Sequence, residues 1–154
     1  MQKITLLAVG TVKTPWVKEA IAAYVNRLQP LCSLNVVELP ASKKKEEHQQ
    51  IGDESERILS AFDSLKGEIW VLDERGVQMT SVQFAQDLGR LRDRGESVTF
   101  IIGGAYGFDD RVRKRAHRLI SLSSMTLAHE FVRPLLLEQI YRAMTILQGR
   151  GYHH

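Results

Sequence analysis

Apolar positions along this chain change period repeatedly, and the changes mark its elements. "KITLLAV" (3–9) is a short apolar run closed by Gly10 and predicts a buried strand. Val17, Ala20, Ile21, Tyr24, Val25 and Leu28 then recur at helical spacing, with Thr14 placed to cap, Pro15 at the first helical position and Pro30 to stop the helix. "LNVVEL" (34–39) predicts a second strand and 40–46 a polar loop. Ile51, Ser55, Ile58, Leu59, Phe62 and Leu65 mark the buried side of a second helix. "EIWVL" (68–72) predicts strand three and "DERG" (73–76) a turn. Ser81 is placed to cap a third helix that buries Phe84, Leu88 and Leu91 and ends near Gly95. "SVTFII" (97–102) predicts a fourth strand, Asp109 or Asp110 the cap of a short helix, and "LISLS" (119–123) a fifth strand. A last helix, from about Glu130 to Gln148, sets Phe131, Leu136, Leu137, Ile140, Tyr141, Met144 and Leu147 on one face. Pro134 must lie in its first turn or bend it there.

Strands alternating with helices predict an α/β fold with a mostly parallel sheet. The 154 residues suit one domain, with no repeat or linker. A hydrophobic share of 44% with 25% charged residues is a globular profile. One cysteine, Cys32, cannot form an internal disulfide, and no Cys/His spacing suggests a metal. The N-terminus lacks a signal-peptide pattern and no segment approaches the roughly 20 apolar residues of a membrane span, so the expectation is a cytoplasmic protein with no membrane and no metal. The net charge of +3 is unevenly placed. "RVRKRAHR" (111–118) and "KKK" (43–45) hold no acid. Such clusters attract phosphates or are simply a solvated helix face and a solvated loop.

Three stretches offer chemistry. "VTFIIGGAYGF" (98–108) ends a strand in Gly103 and Gly104, with Gly107 following. Ligands of open α/β sheets bind beyond the carboxyl ends of strands. The spacing matches neither a dinucleotide fingerprint nor a P-loop, and no G-x-S-x-G is present. The glycines therefore make a tight turn or let a ligand touch backbone. "ISLSSMTLAHE" (120–130) offers small hydroxyls with Met125, Leu122 and Leu127, which suits a flat aromatic ligand or plain core. "GRGYHH" (149–154) ends the chain in Tyr152, His153 and His154, and histidine exchanges protons near neutral pH.

Together with "LLAVGT" at the start, "VLDERG" (71–76) and "LLLEQIYRA" (135–143), these stretches resemble the ribosomal RNA large subunit methyltransferases H of the SPOUT superfamily, over nearly the whole chain. The resemblance implies a single SPOUT methyltransferase domain over 1–154, a C-terminal trefoil knot, a homodimer and a functional tail at 149–154. It implies S-adenosyl-L-methionine as cofactor, held by Leu72, by Gly103 and Gly104, and by Leu122, Ser123, Ser124, Met125, Thr126 and Leu127. The implied substrate is a pseudouridine in the helix 69 loop of 23S rRNA, methylated at N3 on the assembled 70S ribosome. His153 is the candidate base with Tyr152 shaping the pocket, and His129 is a second candidate or an ordinary helix-start residue. Arg133, Arg142 and His154 are candidate RNA contacts, although Arg133 and Arg142 can instead pair with Glu130 and Glu138 along one helix face. Pro134 and His154 depart from the family pattern. The alternatives are a non-enzymatic α/β module that binds RNA or the ribosome through 111–118 and 43–45, and a flavodoxin-like nucleotide binder.

Overall fold

The computed structural model describes all 154 residues. In chain order the elements are β1 (Lys3–Val9), α1 (Pro15–Leu28), β2 (Ser33–Leu39), α2 (Glu47–Phe62), β3 (Glu68–Gln78), α3 (Ser81–Asp93), β4 (Val98–Ile102), α4 (Asp110–Arg115), β5 (Arg118–Ser121) and α5 (His129–Leu147). The strands form one parallel sheet in the order β2-β1-β4-β3-β5. Alternation along β1 divides the core. Ile4, Leu6 and Ala8 face one layer with α1, α3 and α5, while Leu7 and Val9 face the other with α2 and α4. Trp70, Phe84 and Phe100 pack against one another in the first layer, with ring centroids 5.6–6.1 Å apart.

Register sets the site. Val71 pairs with Ile101 and Leu72 with Ile120, so Leu72, Ile102 and Ile120 lie in one row at the carboxyl edge of the sheet.

Several local expectations are corrected. "DERG" is not a turn: β3 runs on to Gln78, and both Leu72 and Val77 align with Ile120, so 73–76 form a bulge. Gly76 allows it, because a Cβ there would lie 2.6 Å from the Ile120 nitrogen. The cap of α3 is Thr80, not Ser81. Thr80 Oγ1 accepts from the Gln83 N–H at 3.1 Å, and Gln83 Oε1 accepts from the Thr80 N–H at 2.8 Å. Ser81 Oγ instead donates to Gln139 Oε1 at 2.7 Å and ties α3 to α5. Asp109, rather than Asp110, caps α4. Helix α5 starts at His129, which puts Pro134 in its second turn, where the missing N–H leaves the Glu130 carbonyl without its helical donor. Thr14 occupies the cap position of α1, but its hydroxyl donates to Glu130 Oε2 at 2.6 Å and joins the starts of α1 and α5.

Candidate active site

A cavity of about 540 Å³ opens at the carboxyl edge of the sheet. Leu72, Ile102, Ile120 and Val132 give it an apolar base. The loop from Gly103 to Phe108 forms one wall, and Leu122, Ser123, Met125, Thr126 and Leu127 form another. Asp73, Glu74 and Arg75, displaced from the ladder by the bulge, supply a third, and His129 stands at the start of α5. Ser124 is exposed and lies outside the lining.

Each wall is shaped locally. Gly107 donates its N–H to the Gly104 carbonyl at 3.0 Å and has φ +77°, so Gly104–Gly107 is a tight turn. The turn and the ligand wall are therefore the same object. A Cβ on Gly103 would lie 2.9 Å from Phe108 Cδ1 and 3.1 Å from Gly107 Cα, so glycine is needed there for the turn itself. In the opposite wall Ser121 Oγ donates to the Ser123 carbonyl at 2.7 Å, and Ser123 Oγ accepts from the Met125 N–H at 3.0 Å. Thr126 Oγ1 then donates to Glu74 Oε2 at 3.0 Å, which fastens this loop to the β3 bulge.

The charges of the cavity are mostly paired. Burial raises the Asp73 carboxyl, but the Arg75 N–H and the Arg113 guanidinium outweigh it and hold it below the usual carboxylate range. Arg113 pairs with Asp73 and, at 2.9 Å, with Asp110, and its guanidinium stacks 5.0 Å from the Phe108 ring centroid. Arg75 is different: 63% of its side chain is exposed and its nearest carboxylates are 3.8 and 4.0 Å away.

The tail packs on α5 of its own chain. Tyr152 OH donates to Glu138 Oε1 at 3.2 Å, its ring meets Tyr141 edge-on at 4.9 Å, and Arg142 lies 4.8 Å over it. Burial, then the Tyr24 hydroxyl and the Glu138 charge, push the Tyr152 phenol up to about 12, so it stays protonated at neutral pH. Arg142 pairs with Glu138 at 2.7 Å and approaches His153 Nδ1 at 3.2 Å. His153 and His154 are exposed and line no wall of their own chain's cavity. Glu138 also borders a second cavity of about 330 Å³, which shares Ile120–Ser123 and Leu127 with the first.

Two sequence expectations about basic residues change. Arg133 is buried, at 2% exposure. Its guanidinium bonds Glu38 at 2.6 Å and the Val9 and Gly10 carbonyls at 3.0 and 2.7 Å. In this arrangement it ties α5 to the end of β1 and presents no face to an RNA phosphate; nor does it pair with Glu130. The run 111–118 is largely neutralised, with Arg111 on Glu56 and Asp109, Arg113 on Asp73, Arg115 on Asp63 and Arg118 on Asp87. Asp73, Glu74, Arg113 and Glu138 are site residues that sequence reasoning missed. Asp73 and Glu74 had a signal in the "VLDERG" stretch, Arg113 in the basic run at 111–118, and Glu138 in its spacing of four from Arg142.

A parallel sheet with helices on both faces and a three-walled cavity at its carboxyl edge defines an α/β domain built to bind a small ligand. The family described as "Predicted SPOUT methyltransferase" matches residues 2–153. The chain is 42% identical to the ribosomal RNA large subunit methyltransferase H of Trichlorobacter lovleyi, over 99% of both chains. It is also 42% identical to that of Neisseria gonorrhoeae, over 97% of both. Among solved structures, a probable methylase family protein from Haemophilus influenzae superposes with a TM-score of 0.59 at 11% identity, covering 98% of this chain and 70% of the other. A putative methylase family protein from Neisseria gonorrhoeae gives 0.56 at 14% identity, covering 91% and 82%. At such identities the superpositions show the fold alone. The chain belongs to the SPOUT methyltransferases, in the family of ribosomal RNA large subunit methyltransferases H.

Proposed function

We propose that this chain, a SPOUT methyltransferase of the large-subunit rRNA class, uses S-adenosylmethionine to methylate N3 of a pseudouridine in the helix 69 loop of 23S rRNA, on the assembled 70S ribosome. The observation that carries the reading is the cavity at the carboxyl edge of the sheet, in a chain that matches the family from end to end. The cavity fits the cofactor. Its apolar base suits an adenine ring, its two loop walls offer backbone groups and small hydroxyls, and Glu74 brings to its rim a carboxylate in no ion pair, held by the Thr126 hydroxyl at 3.0 Å. When bound, S-adenosylmethionine supplies a methyl group on a positively charged sulfur.

The work left to the chain is orientation, exclusion of water and transfer of one proton. The N3 imide must lose its proton for the nitrogen lone pair to become available. His129 is the imidazole already in the cavity. His153 reaches a cavity only where the tail of a second copy is brought to it, which is why the reading includes a homodimer with a shared site. Trp16 and Phe131 stack at 4.9 Å on the outside of α1 and α5, with Leu135 nearby in sequence, and these half-exposed apolar side chains suit a partner surface. Tyr152, held protonated, acts as a donor that shapes the tail and not as the base. Arg142 and His154 remain the RNA contacts of this reading. A trefoil knot in the C-terminal part of the chain belongs to this reading too.

The test is transfer of tritium from labelled S-adenosylmethionine to 70S ribosomes lacking the modification, with mass spectrometry of the nucleosides. N3-methylpseudouridine is the expected product. Labelling of a different nucleoside, or none, overturns the substrate assignment.

A further inference from the structure

The Gly104–Gly107 turn carries a large ring that the fold does not use. Tyr106 sits in the turn, lines the mouth of the cavity and is 52% exposed, although an aromatic side chain of that size usually finds cover. The turn beneath it is rigid. Gly107 closes it onto Gly104 at 3.0 Å, Phe108 anchors its exit in the α2/α4 layer of the core, and Ser55 Oγ accepts from the Asp109 N–H at 3.0 Å. Its entry rests on Glu54, a carboxylate 5% exposed that fills the space behind Gly104.

Glu54 has a second contact. Its Oε2 accepts from the Ser42 N–H at 2.8 Å. One buried side chain thus holds the β2–α2 loop beside the turn. That loop is itself fixed, with Gln50 Nε2 donating to the Lys44 carbonyl at 2.8 Å. It presents Lys43, Lys44 and Lys45, all exposed and none in an ion pair. The arginines of the run at 111–118 are spent on intramolecular acids, whereas these three lysines keep their charge for a partner.

We propose that Tyr106 is a stacking platform for a nucleobase of the RNA substrate, and that Lys43–Lys45, held beside it through Glu54, take the neighbouring phosphates. This rests on the methyltransferase reading above and extends it to how the RNA is gripped. An exposed ring on a rigid turn has little entropy to lose on stacking, and a base offers it a flat face of any sequence. Flanking cations add the charge complement of the backbone without reading sequence.

The experiment compares wild type, Tyr106→Ala and Tyr106→Phe in two assays: titration with S-adenosylhomocysteine, and single-turnover methyl transfer at rising 70S ribosome concentration. Cofactor affinity is expected to hold within about twofold in all three. The half-saturating ribosome concentration is expected to rise roughly 5- to 150-fold in Tyr106→Ala, the range for one lost base stack, and to return close to wild type in Tyr106→Phe. An unchanged ribosome dependence in Tyr106→Ala overturns the platform. A loss of S-adenosylhomocysteine affinity assigns the ring to the cofactor and overturns it as well, as does a Phe variant no better than Ala. A triple Lys43→Gln, Lys44→Gln, Lys45→Gln variant should lower the salt dependence of ribosome binding by roughly one unit of slope per lysine engaged, and an unchanged slope removes the lysines from the proposal. The wild-type arm stands apart: no cofactor binding or methyl transfer there would refute the methyltransferase reading itself.

Discussion

Gly104→Ala is the smallest change that tests how the cavity wall is built. A Cβ on Gly104 would collide with Glu54 Oε1 and lie 3.2 Å from its Cδ. The end of a glutamate side chain can usually swing aside. Here the chain is buried, and the other oxygen accepts the Ser42 N–H at 2.8 Å, so movement breaks a charge-assisted hydrogen bond. Loss of such a bond costs about 1.5–3 kcal/mol and overpacking about 1–3 kcal/mol. The two overlap, since moving Glu54 relieves the collision, so a destabilisation of about 2–4 kcal/mol is expected. Urea unfolding of Gly104→Ala, Glu54→Ala and the double variant measures it. With the carboxylate gone the alanine should fit, and its cost in the Glu54→Ala background should fall below about 1 kcal/mol, a coupling typical of residues in contact. Additive losses across the cycle, or a Gly104→Ala protein as stable as wild type, would refute the claim that Glu54 buttresses the turn.

Thr80→Ala removes the hydroxyl half of the α3 capping box, leaving the backbone N–H to Gln83, and should cost about 1 kcal/mol in urea unfolding, whereas Thr80→Ser keeps the accepting oxygen and should cost much less; equal effects would contradict the assignment. Asp73 ionises below its ordinary value in the folded chain, so between the two values the unfolded chain binds more protons. Its contribution is therefore complete above about pH 4 and is lost as pH falls through the folded value, and Asp73→Asn should flatten the acid limb of stability measured from pH 7 to pH 3. Deleting Tyr152–His154 should leave S-adenosylhomocysteine affinity nearly intact and remove most methyl transfer to ribosomes, and His153→Ala should lower the single-turnover rate without weakening cofactor binding. A wild-type rate from His153→Ala would rule His153 out as the base, and a wild-type rate after the tail deletion would end the shared-site model. Light scattering should give twice 17.5 kDa, and a monomer would do the same.

The strands and long helices were legible because burial imposes a period, and Leu72, Gly103 and the 122–127 segment could be placed at the sheet edge from that pattern alone. What escaped depended on partners distant in sequence. "DERG" has turn composition, yet it lies in a strand because Gly76 lets the β5 backbone come close. The basic run at 111–118 holds no acid of its own; Asp109 and Asp110 pair with it locally, but the rest of its partners, Glu56, Asp63, Asp73 and Asp87, are 31 to 55 residues away from the arginines they hold. Arg133 looked like one more surface arginine of a helix, and nothing local revealed that Glu38 and two β1-end carbonyls enclose it. Thr80 and Ser81 are both good caps, and only Gln83, three residues beyond Thr80, separates them.

The central claim is that the cavity between the β3 bulge, the Gly104 turn and the 122–127 loop takes S-adenosylmethionine. Isothermal titration of the wild-type chain with S-adenosylhomocysteine tests it most directly. The account predicts saturable binding with no metal added and an affinity that survives removal of Tyr152–His154. Absence of binding at any attainable ligand concentration would contradict it.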